Sequence, residues 1–326
     1  MMNSNLLNSD EKPLIPVGIS ACLLGQKVRY DGGHKRSKYC LNVLSDCFDF
    51  KSFCPEISIG LSTPREPIRL VGSADSPRVL GTKDPSLDVT EPLKKYADRV
   101  SEQNSELCGY ILMQGSPSCG MERVKVYHEN GMPNVAGSGA YASQIMKNNP
   151  AMPVEEEGRL NDPVLRENFI TRVFVYHSWQ EEVLKSPSLH NVLQFHSRHK
   201  YQLMAHSYDG YKKLGKYLAT VAPEESLDRV LSQYILELMA FLKCRASRKT
   251  HTNVLMHIMG YLKKDIDAET KQDLLESIEQ YRTNEVNLVV PLALLKHYLK
   301  RFGSEYIQSQ AYLDPYPHEL GLRNYI

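Results

Sequence analysis

Cys22, Cys54 and Cys119 are the residues whose surroundings best suit bond-making and bond-breaking chemistry, because each stands in a loop that also carries polar or conformationally special neighbours. The first lies in ISACLLGQKVRYDGG, where Arg29 and Asp31 follow the thiol closely enough to orient a substrate or balance the charge of a metal centre. The second opens FCPEISIGLSTPR. Pro55 stiffens the step from Cys54 to Glu56 and so keeps a carboxylate near a sulfur, an arrangement suited to proton transfer beside a metal. Arg65 in the same segment is an anion anchor or a salt-bridge partner. The third segment, GSPSCG, gathers two hydroxyls, a cysteine and two glycines. Its glycines allow close ligand approach, and Ser116 and Ser118 can donate hydrogen bonds to sulfur or substrate. The first two segments have plain alternatives, core packing for Cys22 and a solvated or helix-capping Glu56, whereas GSPSCG is the least bland segment of the chain.

Positioning three such loops requires a scaffold. Residues 14–21, 53–59 and 109–113 read as short buried strands, with helices between them at 38–47 and 89–106. Alternating strands and helices imply an α/β domain with a mainly parallel sheet covered by helices. Ligands in such sheets sit beyond the carboxyl ends of the strands, where these three loops fall.

The chain has 326 residues, 42% hydrophobic and 24% charged, with a net charge of +1, so two ordinary globular domains are expected. The sequence divides into a flexible N-terminus (1–12), the α/β domain (13–150), a linker (151–162) rich in proline and acid, and an all-α C-terminal helical domain (163–326). No apolar run approaches the length of about 18 residues that spans a bilayer, and the polar start lacks the apolar core of a signal peptide. A cytoplasmic protein with no membrane association is therefore expected. Its seven cysteines are then reduced thiols, ligands or nucleophiles rather than a disulfide framework. Packing is the default role for Cys40, Cys47, Cys108 and Cys244.

The second half reads as successive amphipathic helices at 163–185, 188–222, 225–246, 251–264, 268–283 and 291–301, punctuated by Pro187, Pro223 and Pro291. Within LQFHSRHKYQLMAHSYDGYKKLGKY, His196, His199, Lys200 and His206 fall on neighbouring turns. Imidazoles at this spacing can share a metal, but no acidic partner follows and HExxH is absent, which favours a polar or basic face. Neither half is basic in bulk, so a nucleic-acid footprint has to be local. His196, Arg198, His199, Lys200, Lys212, Lys213, Arg245, Arg248 and Lys249, interleaved with tyrosines, are the RNA-binding candidates. A solvated helix face is the alternative.

Taken together and in this order, ISACLLGxxVRYDGG, CPExxxGLxTPR and SPSCG resemble the TudS-type thiouracil desulfidases over residues 13–148. That resemblance implies a [4Fe-4S] cluster with Cys22, Cys54 and Cys119 as its three ligands and a fourth iron open to sulfur. It assigns proton transfer to Glu56 and a serine of the third loop, Ser116 or Ser118; Arg29, Asp31 and Arg65 are the substrate-binding candidates read from their own segments. FHSRHKYQLMAHS, NVLMHIMGYLKK, VVPLALLKHYL and YLDPYPHELGLRNYI are similar to the YbgA-type helical domain over residues 190–326. The fused form resembles the RudS proteins, which implies tRNA binding by the helices and hydrolytic desulfuration of 4-thiouridine in tRNA, with release of hydrogen sulfide. Three other readings compete: a desulfidase for free thiouracil or another small thioamide, a non-catalytic iron-sulfur redox sensor, and a zinc site at the same cysteines.

Overall fold

The computed structural model describes residues 13–222 and 224–326; the expected flexible N-terminus 1–12 and the punctuating Pro223 lie outside the described residues. In chain order, the first half forms β1 (Ile15–Ser20), α1 (Lys38–Asn42), β2 (Phe48–Phe53), α2 (Pro55–Ser58), β3 (Ile68–Val71), β4 (Arg78–Gly81), α3 (Thr90–Gln103), β5 (Tyr110–Leu112), β6 (Val124–Tyr127), β7 (Pro133–Gly137), α4 (Ala140–Asn148) and β8 (Val154–Glu156). One sheet has the order β2-β1-β5-β8 and all its pairings are parallel. This is the parallel sheet expected from the alternation of strands and helices. A second, mixed sheet, β4-β3-β6-β7, was not legible in the sequence, because its strands are only 4 or 5 residues long.

Two boundaries differ from the sequence reading. The strand expected at 53–59 lies at Phe48–Phe53, and Pro55 instead starts the short helix α2. Proline there has no N–H to give a ladder but fits the first turn of a helix. Residues 151–162, whose composition suggests a linker, supply the edge strand β8 and a 3-10 turn.

Both faces of the parallel sheet are covered. Ala97 and Val100 of α3 and Tyr141 and Ile145 of α4 pack on one face with Tyr110 and Leu112. On the other face, Val17 and Ile19 are fully buried against Phe169, Ile170 and Val173 of α5 (Pro163–Trp179). Each such side chain contributes about 1.5–3 kcal/mol by leaving water. Helix α5 starts at Pro163 with the Asp162 carboxylate accepting the Val164 and Leu165 N–H groups. Farther along, Val175 and Trp179 join a separate helical core. One helix thus belongs to both packing units.

That helical unit continues as α6 (Leu189–His206), α7 (Tyr208–Ala219), α8 (Leu227–Leu242), α9 (Arg248–Met259), α10 (Ala268–Arg282), α11 (Val289–Phe302) and α12 (Glu305–Gln308). The all-α region agrees with the sequence reading. A helix expected over 188–222 is broken at Ser207, which turns extended and caps α7 by accepting the Gly210 N–H at 3.0 Å. The C-terminal tail returns to the sheet, where Tyr316 and Leu322 pack beside α5.

Candidate active site

Strand order is what brings the three cysteine loops together. β2, β1 and β5 are consecutive neighbours in the parallel sheet, so the loops leaving their carboxyl ends start side by side, about 4.8 Å apart per strand. Cys22, Cys54 and Cys119 all line one cavity of about 330 Å³ at that edge, together with Arg29, Glu56, Arg65 and Ser116.

Each thiol is held by its own local device. Cys22 sits in a 3-10 turn, Ala21–Leu24, closed by Gly25 at φ 89°, a backbone angle that favours glycine. Its carbonyl also accepts the Lys35 N–H at 2.9 Å, folding residues 26–35 back over the site. Cys54 immediately precedes α2, and its carbonyl accepts the Ser58 N–H at 3.0 Å. Cys119 lies in a tight turn in which the Ser116 hydroxyl oxygen accepts the N–H groups of Ser118 (3.2 Å) and Cys119 (3.1 Å). A Cβ on Gly120 would stand 2.3 Å from Val124 and 2.8 Å from the Ser116 carbonyl, so only glycine closes this turn.

A residue unmarked by the sequence completes that turn. Glu156, at the end of β8, is buried, and its Oε1 accepts the Met121 N–H at 2.8 Å and the Glu122 N–H at 3.4 Å. It anchors the chain directly after Cys119. Its neighbour Glu155 accepts from Arg159, which also bonds Glu122. In the sequence these glutamates form a short acidic run, which usually means solvated surface.

Glu56 is oriented by Arg65, as the salt-bridge reading of that arginine anticipates. Arg65 Nε donates to Glu56 Oε2 at 3.0 Å and Nη2 bonds the same oxygen. The guanidinium also donates to the Val28 carbonyl at 3.0 Å and the Ser62 carbonyl at 3.1 Å. Among the described residues, Glu56 Oε1 has no protein hydrogen-bond donor and is the carboxylate oxygen left for a ligand. Arg65 is committed to this clamp and does not offer a free anion site.

Burial pushes the Cys22 thiol up to about 11 and raises Cys54. It drives Cys119 well above the ordinary thiol range, reinforced there by the negative charges of Glu56, Cys22 and Cys54. With all three raised above the ordinary thiol range, Cys22, Cys54 and Cys119 are protonated at neutral pH. Their conversion to thiolates needs a cation among them, and binding it releases protons.

The other expected site residues divide. Arg29 lines the cavity and pairs with Asp31 at 3.6 Å. Asp31 itself is exposed and outside the cavity lining, with its carboxylate accepting the Gly33 N–H at 2.9 Å. Ser118 is fully buried and also outside that lining, so of the two serines only Ser116 reaches the cavity. Lys35, Tyr30 and Gln114 line it without having been marked by the sequence.

In the helical region, His199 corrects the expectation of a surface contact: it is buried, stacks on Phe195 and donates Nδ1–H to the Phe195 carbonyl at 3.0 Å. Burial lowers it to about 4, so it is neutral at pH 7. Arg248 is likewise structural, donating to the Tyr281 and Val286 carbonyls at 2.8 and 2.9 Å. Arg198 and Lys213 are ion-paired with Glu182 and Glu237, whereas Arg245 and Lys249 are exposed. Among the described residues, no group of three or more His, Cys, Asp or Glu side chains has the spacing to hold a single metal ion. None of their helices is long and apolar enough to cross a membrane.

Two family models match the chain, 2-thiouracil desulfurase over residues 17–157 and DUF1722, a protein family of unknown function, over residues 200–317. YbgA of Escherichia coli (strain K12) is 34% identical over 157 residues, which is 48% of this chain and 92% of YbgA. YbbK of Bacillus subtilis (strain 168) is 31% identical over 150 residues, 44% of this chain and 97% of YbbK. The chain belongs to the 2-thiouracil desulfurase family in its first half and to the DUF1722/YbgA family in its second. A solved structure of the [4Fe-4S]-dependent thiouracil desulfidase TudS is 30% identical, with a TM-score of 0.36, covering 45% of this chain and 93% of that one. Membership of the desulfurase family makes this chain an enzyme with a desulfidase-type activity related to thiouracil chemistry. The three cysteine loops all fall inside the matched segment.

Proposed function

We propose that the chain catalyses the iron-sulfur-dependent hydrolytic desulfuration of thiolated uracil, with 4-thiouridine in tRNA as its substrate. The observation that carries this reading is the meeting of Cys22, Cys54 and Cys119 in one cavity beside Glu56. Their donor chemistry suits iron and sulfur, since all three are soft thiols without disulfide partners. A single tetrahedral zinc, with Zn–S bonds of about 2.3 Å, draws its thiolates to about 3.8 Å of one another. A cuboidal cluster would need only one thiolate at each of three irons, which three thiols around one cavity can supply. A [4Fe-4S] cluster held by these thiolates, with its fourth iron open, would supply a Lewis acid for the thiocarbonyl sulfur.

The chain's own residues do the rest. Arg65 fixes the Glu56 carboxylate through Oε2, and Oε1 is left to take a proton from the attacking water or return one to the ring. Phe53, Met113, Pro67 and Ile68 line the cavity with apolar surface that limits access of bulk water. Ser116 braces the Cys119 turn while its hydroxyl hydrogen remains a donor toward the cavity. Arg29 and Lys35 put positive charge at the same cavity, where an RNA phosphate or the electron-rich base is accepted. The reaction balances without a redox partner: C=S plus water gives C=O plus hydrogen sulfide.

Substrate choice is tested by comparing kcat/KM for 4-thiouridine within tRNA and for free 4-thiouracil, using anaerobically reconstituted protein. A preference for tRNA of about 100-fold or more, on the order of 3 kcal/mol of added binding, is expected. Equal values assign the activity to the free base. A second test concerns the Cys119 loop. Glu156→Leu strands two backbone N–H groups, at a cost of about 1–3 kcal/mol. Loss of such an outer-shell brace weakens metal retention by about 10–100-fold. Iron remaining after a chelator challenge should fall in Glu156→Leu and be preserved in Glu156→Gln, which retains an acceptor oxygen.

A further inference from the structure

Two groups of buried hydroxyls adjoin Cys119, each with a hydrogen that no oxygen or nitrogen accepts among the described residues. Ser20, the last residue of β1, is buried. Its oxygen accepts the Met113 N–H at 3.0 Å, which ties that strand to the loop after β5. This bond uses a lone pair and leaves the hydroxyl hydrogen available. Ser20 and Cys119 line the same cavity. Burial drives the Cys119 thiol up, and a hydrogen bond from Ser20 acts in the opposite direction.

The second group is a pair of phenols. Tyr110 on β5 and Tyr141 on α4 are fully buried in the packing cluster that contains Cys119, and their hydroxyls meet at 2.9 Å. One O–H donates to the other oxygen, so one hydrogen of the pair is left over. Buried polar groups are normally hydrogen-bonded, and an unused one marks a missing acceptor. The rings are fixed in place. A Cβ on Gly18 would stand 2.5 Å from two Tyr110 ring carbons, Phe53 packs on Tyr110 at 5.8 Å, and Tyr96 stacks on Tyr141 at 5.6 Å. Burial raises both phenols well above their ordinary range, with Cys119 among the negative charges that add to it, so they remain O–H donors. Cys22 and Cys54 differ, since their hydrogen bonds involve backbone groups.

We propose that Ser20 and the Tyr110–Tyr141 pair are positioning residues that donate hydrogen bonds to the Cys119 sulfur when it serves as a thiolate ligand. The inference rests on the cluster reading of the three cysteines. Hydrogen bonds to a ligand sulfur favour the more negative, reduced state and so raise the reduction potential. They also draw electron density from the thiolate, which strengthens the open iron as a Lewis acid toward the thiocarbonyl sulfur.

The test compares anaerobically reconstituted wild type with Ser20→Ala and Tyr110→Phe/Tyr141→Phe. It reads the reduction potential of the cluster each full chain holds, iron per chain, and the thermal midpoint of the metal-free protein. Both variants should shift the potential negative and weaken iron retention by about tenfold or more, as for other lost outer-shell partners. The double phenylalanine variant removes two mutually bonded hydroxyls and keeps both rings, so its metal-free thermal midpoint should stay near that of wild type. Ser20→Ala leaves the Met113 N–H unpaired and should unfold earlier, whereas Ser20→Thr retains the hydroxyl and should hold the wild-type potential. A purely structural role predicts altered unfolding with an unmoved potential. That result in both variants would overturn the proposal and leave the cluster reading standing; in one variant, it would remove that group from the sulfur. Complete loss of the cluster from a double phenylalanine variant that folds as the wild type does would support the proposal. Absence of any iron-sulfur cluster from the reconstituted wild type would overturn both readings.

Discussion

Cys119→Ala is expected to lower sulfide release from 4-thiouridine by about 1000-fold or more and to leave the protein unable to retain a full complement of iron. The magnitude follows from losing Lewis-acid stabilisation worth several kcal/mol, at 1.36 kcal/mol per tenfold in rate. The fold should survive the change. Cys119 is buried beside Tyr110 and Tyr141, and truncating a thiol to a methyl removes one heavy atom from that packing. Its turn is secured by Ser116 and Glu156 rather than by the sulfur. Thermal unfolding of the metal-free variant should therefore remain cooperative and near that of the metal-free wild type. Iron and acid-labile sulfide per chain, measured after anaerobic reconstitution, separate loss of the cluster from loss of the fold. Cys22→Ala and Cys54→Ala should behave alike, whereas Cys108→Ala should retain iron. Cys108 lies near the opposite end of β5, where its sulfur meets Gln180 Oε1 at 3.0 Å.

The second large effect belongs to Glu56. Glu56→Gln preserves the shape of the side chain and an acceptor for Arg65, but it no longer exchanges a proton. Loss of a positioned general acid or base costs about 100- to 10,000-fold. The fall should appear in kcat, with KM and iron content little changed, because the three thiols are untouched. Arg65→Leu is the informative partner. It leaves the carboxylate intact but removes the donors that fix Oε2 and tie the Glu56 loop to the Val28 carbonyl. Activity should drop without abolition, and Arg65→Lys should rescue little of it, since an ammonium cannot reproduce the forked guanidinium contacts. A wild-type kcat in Glu56→Gln would remove Glu56 from the chemistry.

Much of this arrangement was readable in the sequence, and for definite reasons. A cysteine directly after an apolar run marks a loop at a strand end, and parallel sheets gather such loops at one edge. The strand order that makes β2, β1 and β5 neighbours is a long-range property that no local pattern encodes. The fate of Arg65 was similarly open, since nine residues separate it from Glu56 and only the turn at residues 60–64 brings them into contact. Glu156 was hidden in an acidic run whose burial depends on β8 joining the sheet edge. Ser207 breaks a helix without proline or glycine, through a hydroxyl cap alone. His199 shows the converse limit: a histidine in a basic stretch faces inward because α6 buries that side against the helical core. Helix α5 explains why the two halves are not independent beads, since Phe169, Ile170 and Val173 cover the sheet that positions the cysteines.

The most direct test is sulfide release from 4-thiouridine-containing tRNA by anaerobically reconstituted wild type, with Cys119→Ala assayed in parallel. The account requires wild type to release one sulfide for each 4-thiouridine converted to uridine, with only background release by the variant. Equal sulfide release by the two proteins, or none from a wild type carrying its full iron complement, would contradict it.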